Sequence, residues 1–492
     1  MLSRRLLLQQ GAGAGLLAST GLVGARPSTW QSGEIVNDIH AQLNRTRVAE
    51  VRKPRSVEEL QALVRLACER RLTVSVCGGR HAMGGQQFAS QSLLIDMSAM
   101  NRVVAFDRSR GVIEVLAGMQ WPELVQYLVE QQVDSTAWGI RQKQTGADRL
   151  SIGGSLSVNG HGRGLAMQPL VGDVESFVLV DAEGKTHRCS RQENQALFRL
   201  AIGGYGLFGV VASVSLRLTP RIKLERVVEI GEVDGLMGAM AGRIAEGYVY
   251  GDFQYATDER SLDYLRRGVF SCYRPVADET PMRDEQRELS PEQWKELLYL
   301  AHVNKRRAYE LYSQHYLATN GQVYWSDTHQ LTTYLDDYHR ELDARLGSSC
   351  KATEVISEIY VPRDALTAYL DEVRRDFRAQ GVNLIYGTIR LIEEDRESFL
   401  AWAKQPYACI VFNLHTLHTP EGFHHSKRAF RRLIDRAIPY GGSFFLTYHR
   451  WATRQQIECC YPQFEEFLRR KRELDPERRF QSDWYRHYSQ SV

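Results

Sequence analysis

The stretch Val76-Cys77-Gly78-Gly79-Arg80-His81-Ala82-Met83-Gly84-Gly85-Gln86 decides how the rest of this chain is read. It holds two pairs of glycines with a histidine between them. Glycine carries no Cβ, so such a loop lets bare backbone N–H groups approach a diphosphate closely. The residues before it present the loop. Ser56 is placed to cap a helix, and Glu59 three positions on completes a capping pattern. Val57, Leu60, Val64 and Ala67 share one face of that helix. Arg71 to Val76 then alternates as a short strand and delivers the chain into the loop. Taken alone, the stretch reads either as a nucleotide cradle or as a glycine turn with an incidental histidine.

Two further glycine-rich stretches follow. The first runs Thr145-Gly146-Ala147-Asp148-Arg149-Leu150-Ser151-Ile152-Gly153-Gly154-Ser155 and continues into Val158-Asn159-Gly160-His161-Gly162-Arg163-Gly164. The second, Gly203-Gly204-Tyr205-Gly206-Leu207-Phe208-Gly209, contains a literal G-x-G-x-x-G. A Rossmann dinucleotide site needs a strand before that motif and a helix after it. Here Glu193 to Ala201 predicts a helix before, and Val210 to Leu218 a strand after, so the Rossmann reading is rejected.

The pattern Val-x-Gly-Gly-x-His at 76–81 resembles the nucleotide-binding loop of flavoproteins of the vanillyl-alcohol oxidase and p-cresol methylhydroxylase superfamily. That superfamily includes aldonolactone and alditol oxidases, cytokinin dehydrogenases and berberine-bridge-type enzymes. The stretch 145–164 is similar to its paired glycines followed by Asn/Thr-x-His-Gly. Leu197-Phe198 and Gly203 to Val211 match the end of its flavin domain in register. Asp475-Pro476 and Phe480-Gln481-Ser482 are similar to its C-terminal signature. The overall pattern stands nearest to aldonolactone/alditol oxidase-like proteins.

The resemblance implies an α+β fold: a two-part PCMH-type FAD-binding domain at 45–220, an α/β substrate (cap) domain at 221–440, and a C-terminal segment, 441–492, returning to the FAD domain. It implies FAD as cofactor, held by Cys77, Gly78, Gly79, Arg80, His81, Ala82, Met83 and Gly84, by Ser151, Gly154, Asn159, Gly160, His161 and Gly162, and by Gly209, Val210 and Val211. It also implies a covalent bond from His81 to the flavin 8α-carbon. Members with a second, cysteinyl bond carry cysteine where this chain has Ala147, so attachment is expected to be single.

Flavin oxidation of an alcohol moves a hydride to N5 and a proton to some acceptor, and a positive group near N1 and C2=O favours it. Tyr386-Gly387-Thr388-Ile389-Arg390 resembles the Glu-x-Arg strand of alditol and aldonolactone oxidases, with Arg390 in the arginine's place and Thr388 in the glutamate's. Thr447-Tyr448-His449-Arg450-Trp451-Ala452-Thr453-Arg454 resembles their His-Trp-Gly-Lys segment, its lysine lost or displaced, with Arg450 and Arg454 nearby. Arg390, His449 and Tyr448 are therefore the candidate catalytic residues, with His449 or Tyr448 accepting the substrate proton. His415, His418, His424 and His425 match no zinc spacing and read as a polar strand edge and turn, with no metal.

The remaining chain is consistent with this reading. At 43% hydrophobic and 25% charged residues the composition is that of an ordinary folded protein, and a net charge of +3 is too small to argue for nucleic acid. Ser3-Arg4-Arg5-Leu6-Leu7-Leu8, an apolar glycine-rich run and Val23-Gly24-Ala25 resemble a twin-arginine export signal over residues 1–25. A periplasmic or secreted location follows, with no strong membrane signal after that segment. The eight cysteines show no CxxC spacing and read as mostly buried small apolar residues. The expected function is FAD-dependent oxidation of a CH–OH group in a small sugar-, lactone- or polyol-like molecule, with oxygen or an electron carrier as acceptor. The alternatives are a dehydrogenase of a 2-hydroxy acid or a C–C bond, and an inactive FAD-binding partner subunit.

Overall fold

Ser56 begins the helix Val57–Glu69 by accepting the Glu59 N–H at 3.2 Å. Glu59 does not close the capping box; its carboxylate takes the Arg55 N–H at 2.8 Å. Leu60, Val64 and Ala67 are the buried face. This computed structural model describes residues 33–489 except 133–136, 284–285, 333–334 and 336. The twin-arginine reading of residues 1–25 lies outside the described residues.

The helix joins Glu50–Arg52 to Val74–Cys77, and both strands pair in parallel with Leu93–Asp96 between them. A five-stranded antiparallel sheet follows, in the order Thr186–Ser190, Val174–Val180, Val210–Arg217, Val112–Leu116, Val103–Asp107. One apolar core unites the two sheets and includes Val64, Ile95, Val115, Leu156, Phe177, Phe198 and Val214. Phe480 belongs to it too. There the tail returns to the parallel sheet: Val74 N–H donates to the Arg479 carbonyl at 2.7 Å, and Gln481 N–H to Val74 at 2.8 Å.

The third layer is an eight-stranded antiparallel sheet. Its order is Val323–Trp325, Lys223–Glu232, Arg267–Pro275, Tyr250–Tyr255, Leu384–Ile392, Tyr407–Leu417, Ala352–Pro362, Ser443–Phe444. The last pairing keeps the chain in this sheet beyond residue 440. Alternation along the strands gives the sheet two different faces. Ile359, Ile389, Ile410 and Phe412 share the face covered by the helices Leu366–Gln380 and Pro420–Ala437, with Phe377 edge-on to Phe412 at 5.7 Å. The other face carries Ile356, Glu358, Val411, Asn413, Tyr386 and Arg390.

The single helix expected over 289–318 is two helices, Pro291–Val303 and Lys305–Ala318. Asn304 leaves helical geometry at φ −153°, ψ 72°, and its side chain caps the second helix by accepting the Arg307 N–H. Asparagine competes with the helical backbone in this way and favours cap positions. His424 and His425, expected in a turn, begin the helix Pro420–Ala437. All eight cysteines are free thiols. Among the described residues no helix is long and apolar enough to cross a membrane.

Candidate functional site

A cavity of about 970 Å³ lies against all three glycine stretches, the polar face of the eight-stranded sheet and the helix pair at 291–318. The first two stretches touch through glycine. A Cβ on Gly78 would stand 2.0 Å from Ser151 Oγ, and one on Gly79 2.1 Å from the Arg149 carbonyl oxygen. Side chains there would force the loops apart, so the cradle exists only with glycine at both places. Gly209 holds φ +147°, a conformation L-residues rarely adopt, with its α-carbon against Leu179.

Of the residues expected at the cofactor, Cys77, Gly78, Gly79, Arg80, His81, Ala82, Met83, Ser151, Gly154, Gly209, Val210 and Val211 line this cavity. Gly84, Asn159, Gly160, His161 and Gly162 do not. Gly84 sits behind the loop, where its carbonyl accepts from Arg450 Nη1 at 2.9 Å. Asn159 is a fully buried left-handed helix cap. Its side chain accepts the Val171 N–H at 2.9 Å and donates to Asp395 at 2.8 Å, so it pins loops rather than a ligand. Gly160 N–H is taken by the Ser155 carbonyl, and Gly162 N–H by the Gln142 side chain.

His81 is buried. Burial, with the nearby charges of His40, Arg149 and Lys143, pushes its pKa down to about 3. The ring is neutral at ordinary pH, and a neutral imidazole is the form with a lone pair to give. The glycine cradle and this neutral histidine in the same wall fit a flavin dinucleotide.

On the opposite wall stands an acid that the sequence reading passed over. Glu358 lines the cavity and is 1% exposed. His161 Nε2 lies 2.6 Å from Oε1, Tyr360 OH donates to that oxygen at 2.5 Å, and Tyr448 OH donates to Oε2 at 3.0 Å. Burial alone would raise the carboxyl; the charge and hydrogen bond of His161, the Tyr360 hydroxyl and the charge of Arg390 outweigh it and hold the pKa at about 2. His161 thus reaches the site through Glu358. A glutamate in the apolar run Val355-Ile356-Ser357-Glu358-Ile359-Tyr360 was the available signal.

Arg390 lines the cavity and is 5% exposed. Its Nε is buried with no hydrogen-bond partner among the described residues. Burial opposes its charge, but Cys409, Tyr386, Asp252 and Glu358 favour it and the guanidinium stays protonated. Thr388, in the place of the expected glutamate, is fully buried with its hydroxyl unpartnered and does not line the cavity. Thr388 and Glu358 both pair with Val411, from opposite sides of the strand Tyr407–Leu417. The carboxylate missing at Thr388 therefore comes from two strands away.

Tyr448 lines the cavity, and burial and the Glu358 charge hold its phenol well above the usual range. His449 does not line it. Its ring stacks on Trp451 at 4.4 Å, and burial, with Arg450 and His40, pushes its pKa to about 3. A histidine that acidic takes no proton near neutrality, so the geometry gives His449 no role as the base. Arg450 braces the first glycine loop, and Arg454 pairs with Glu458 and Glu465 near the surface, so neither replaces the missing lysine.

An α+β chain whose glycine loops face a buried arginine and an ionised glutamate across one cavity has the layout of a flavoprotein. Residues 48–190 match the FAD binding domain family. An uncharacterised oxidoreductase of the fasciation locus of Rhodococcoides fascians is 31% identical over 169 residues, 34% of this chain and 36% of that one. A mitochondrial L-galactono-1,4-lactone dehydrogenase of Arabidopsis thaliana is 29% identical over 193 residues, 38% of this chain and 30% of that one. Cytokinin dehydrogenase 2 of the same plant is 27% identical over 168 residues, 34% and 32% of the two chains. The chain spans about a third of the length of these relatives. Residues 48–190 are thus an FAD binding domain, and over it the chain is similar to PCMH-type FAD oxidoreductases.

Proposed function

We propose that this protein oxidises a CH–OH group of a small molecule, with FAD held in the glycine cradle and the substrate on the polar face of the eight-stranded sheet. In this reading the two N-terminal sheets form the PCMH-type FAD domain, and the eight-stranded sheet with its helices forms the cap. The observation that carries the reading is Arg390. A buried guanidinium Nε without a partner, facing a cavity shared with the cofactor loops, is costly unless a ligand uses it. Bound FAD supplies the hydride acceptor. Arg390 holds the substrate oxygen and stabilises negative charge that develops there. Glu358, kept ionised beside His161, accepts the hydrogen bond of the substrate hydroxyl and orients it, and the proton leaves to solvent. His81, neutral and in the cradle wall, is the proposed point of covalent attachment, which keeps the cofactor on a protein exported through the twin-arginine route to the periplasm or beyond. Oxygen or an electron carrier reoxidises it.

A 2-hydroxy acid donor is the second reading, because the same guanidinium suits a carboxylate. The inactive-subunit reading rested on the missing glutamate and lysine; Glu358 removes half of that support. Anaerobic mixing with polyols, lactones and 2-hydroxy acids tests the proposal. Bleaching of the flavin by one of these classes is the expected result, and a chromophore that none of them bleaches overturns it.

A further inference from the structure

A second polar cluster lies beside the cavity. Glu354, Ile356 and Glu358 share one face of the strand Ala352–Pro362; Ile356 and Glu358 line the cavity and Glu354 does not. Glu354 pairs across the sheet with His415, and the helix Pro291–Val303 brings His302 to the same place. Glu354 Oε1 is 3.1 Å from His302 Nε2 and 3.4 Å from His415 Nδ1. One ligand atom from each residue falls within 4.8 Å of the other two, and the three side chains are only 2%, 4% and 15% exposed.

The ring orientation is informative. His302 Nδ1 lies 2.8 Å from the Leu298 carbonyl oxygen. A carbonyl only accepts, so Nδ1 carries the hydrogen. His302 Nε2 and His415 Nδ1 both face Glu354 Oε1. Nε2 is therefore the His302 nitrogen left to serve as a ligand, and the three ligand atoms lie close enough to share one ion. The other oxygen, Oε2, accepts from Tyr338 OH at 2.5 Å and faces His339 Nδ1 at 3.4 Å, which fixes the carboxylate plane. Metal-bound histidines commonly donate their other N–H to a backbone carbonyl, and ligating carboxylates are commonly hydrogen-bonded themselves. Both features are present.

We propose that His302, Glu354 and His415 bind one divalent transition-metal ion of the Zn2+ type, which ties the helix Pro291–Val303 to the sheet at the edge of the cavity. Imidazole nitrogen with carboxylate oxygen is a zinc-like ligand set, and three protein ligands leave a fourth position for water or a ligand oxygen. The helix has a mechanical need for such a tie. Its apolar residues Trp294, Leu297, Leu298 and Ala301 line the cavity and none of them is fully buried.

The test uses the full chain with its flavin. The protein is treated with a chelator, desalted, incubated with Zn2+ alone or Co2+ alone, and gel-filtered before metal analysis. The unmodified protein should retain one ion per chain, and Co2+ should add ligand-field bands to the red of the flavin absorption. Glu354→Gln and His415→Asn should each lose nearly all of it while keeping their flavin spectrum. Tyr338→Phe should bind roughly 10–100-fold more weakly. Unmodified protein that retains neither ion overturns the proposal whatever the variants do. So does an ion retained undiminished by both folded ligand variants.

Discussion

Replacing Glu358 with glutamine tests the charged hydrogen-bond acceptor with little change of shape. The amide has one acceptor oxygen where the carboxylate has two. The orientation that keeps His161 and Tyr360 satisfied at Oε1 turns the NH2 toward Tyr448, whose hydroxyl must rotate and accept. Losing a hydrogen bond to a charged group typically costs about 1.5–3 kcal/mol, or roughly 10–150-fold in rate. Under saturating substrate, Glu358→Gln should bleach its flavin slower by that factor, with flavin content unchanged. The structure also sets a second readout. The Glu358 carboxyl is held at about 2 in the folded chain against an ordinary 4.5. A depressed carboxyl stabilises the fold fully above its unfolded pKa and loses that contribution as pH falls through the folded value. The shift amounts to about 3 kcal/mol, lost between about pH 4.5 and 2. Glu358→Gln should therefore melt lower at neutral pH and show a shallower fall in Tm over that acid window. Wild-type bleaching together with an unchanged acid slope would refute both the assignment and the electrostatic account of it.

Three other outcomes follow from the same geometry. Arg390→Met should lower kcat/KM by roughly 10–150-fold, the loss of one charge-assisted hydrogen bond of about 1.5–3 kcal/mol, without releasing FAD; steady-state kinetics on flavin-loaded protein decides, and an unchanged kcat/KM rules out contact with substrate. Acid-precipitated wild-type protein should stay yellow and His81→Ala should give a colourless pellet; a colourless wild-type pellet means no covalent bond. Arg4→Lys with Arg5→Lys should hold the protein inside the cell, and cell fractionation that finds export unchanged excludes the twin-arginine route.

The cradle was legible in the sequence because its chemistry is local. Gly78, Gly79 and His81 stand within one loop, the strand and helix that present them follow from the patterns at 56–76, and glycine is conspicuous wherever two loops must touch. The order of the three glycine stretches carried the superfamily for the same reason. The polar face of the eight-stranded sheet was not local. Two residues before Arg390 the chain has Thr388 and no glutamate, yet Glu358 reaches the same face from the far side of Val411. Register between strands decided that, and register depends on which faces are buried against the helices Leu366–Gln380 and Pro420–Ala437. His415 shows the same limit. Its neighbours in sequence, His418, His424 and His425, are not its partners; Glu354 and His302 are, brought from a paired strand and an overlying helix. Burial decided the remainder. His449 has the right residue type for a base, but its place against Trp451, away from the cavity, pushes its pKa to about 3. Residue type and spacing state which groups a chain owns; packing sets which of them meet, and in which protonation state.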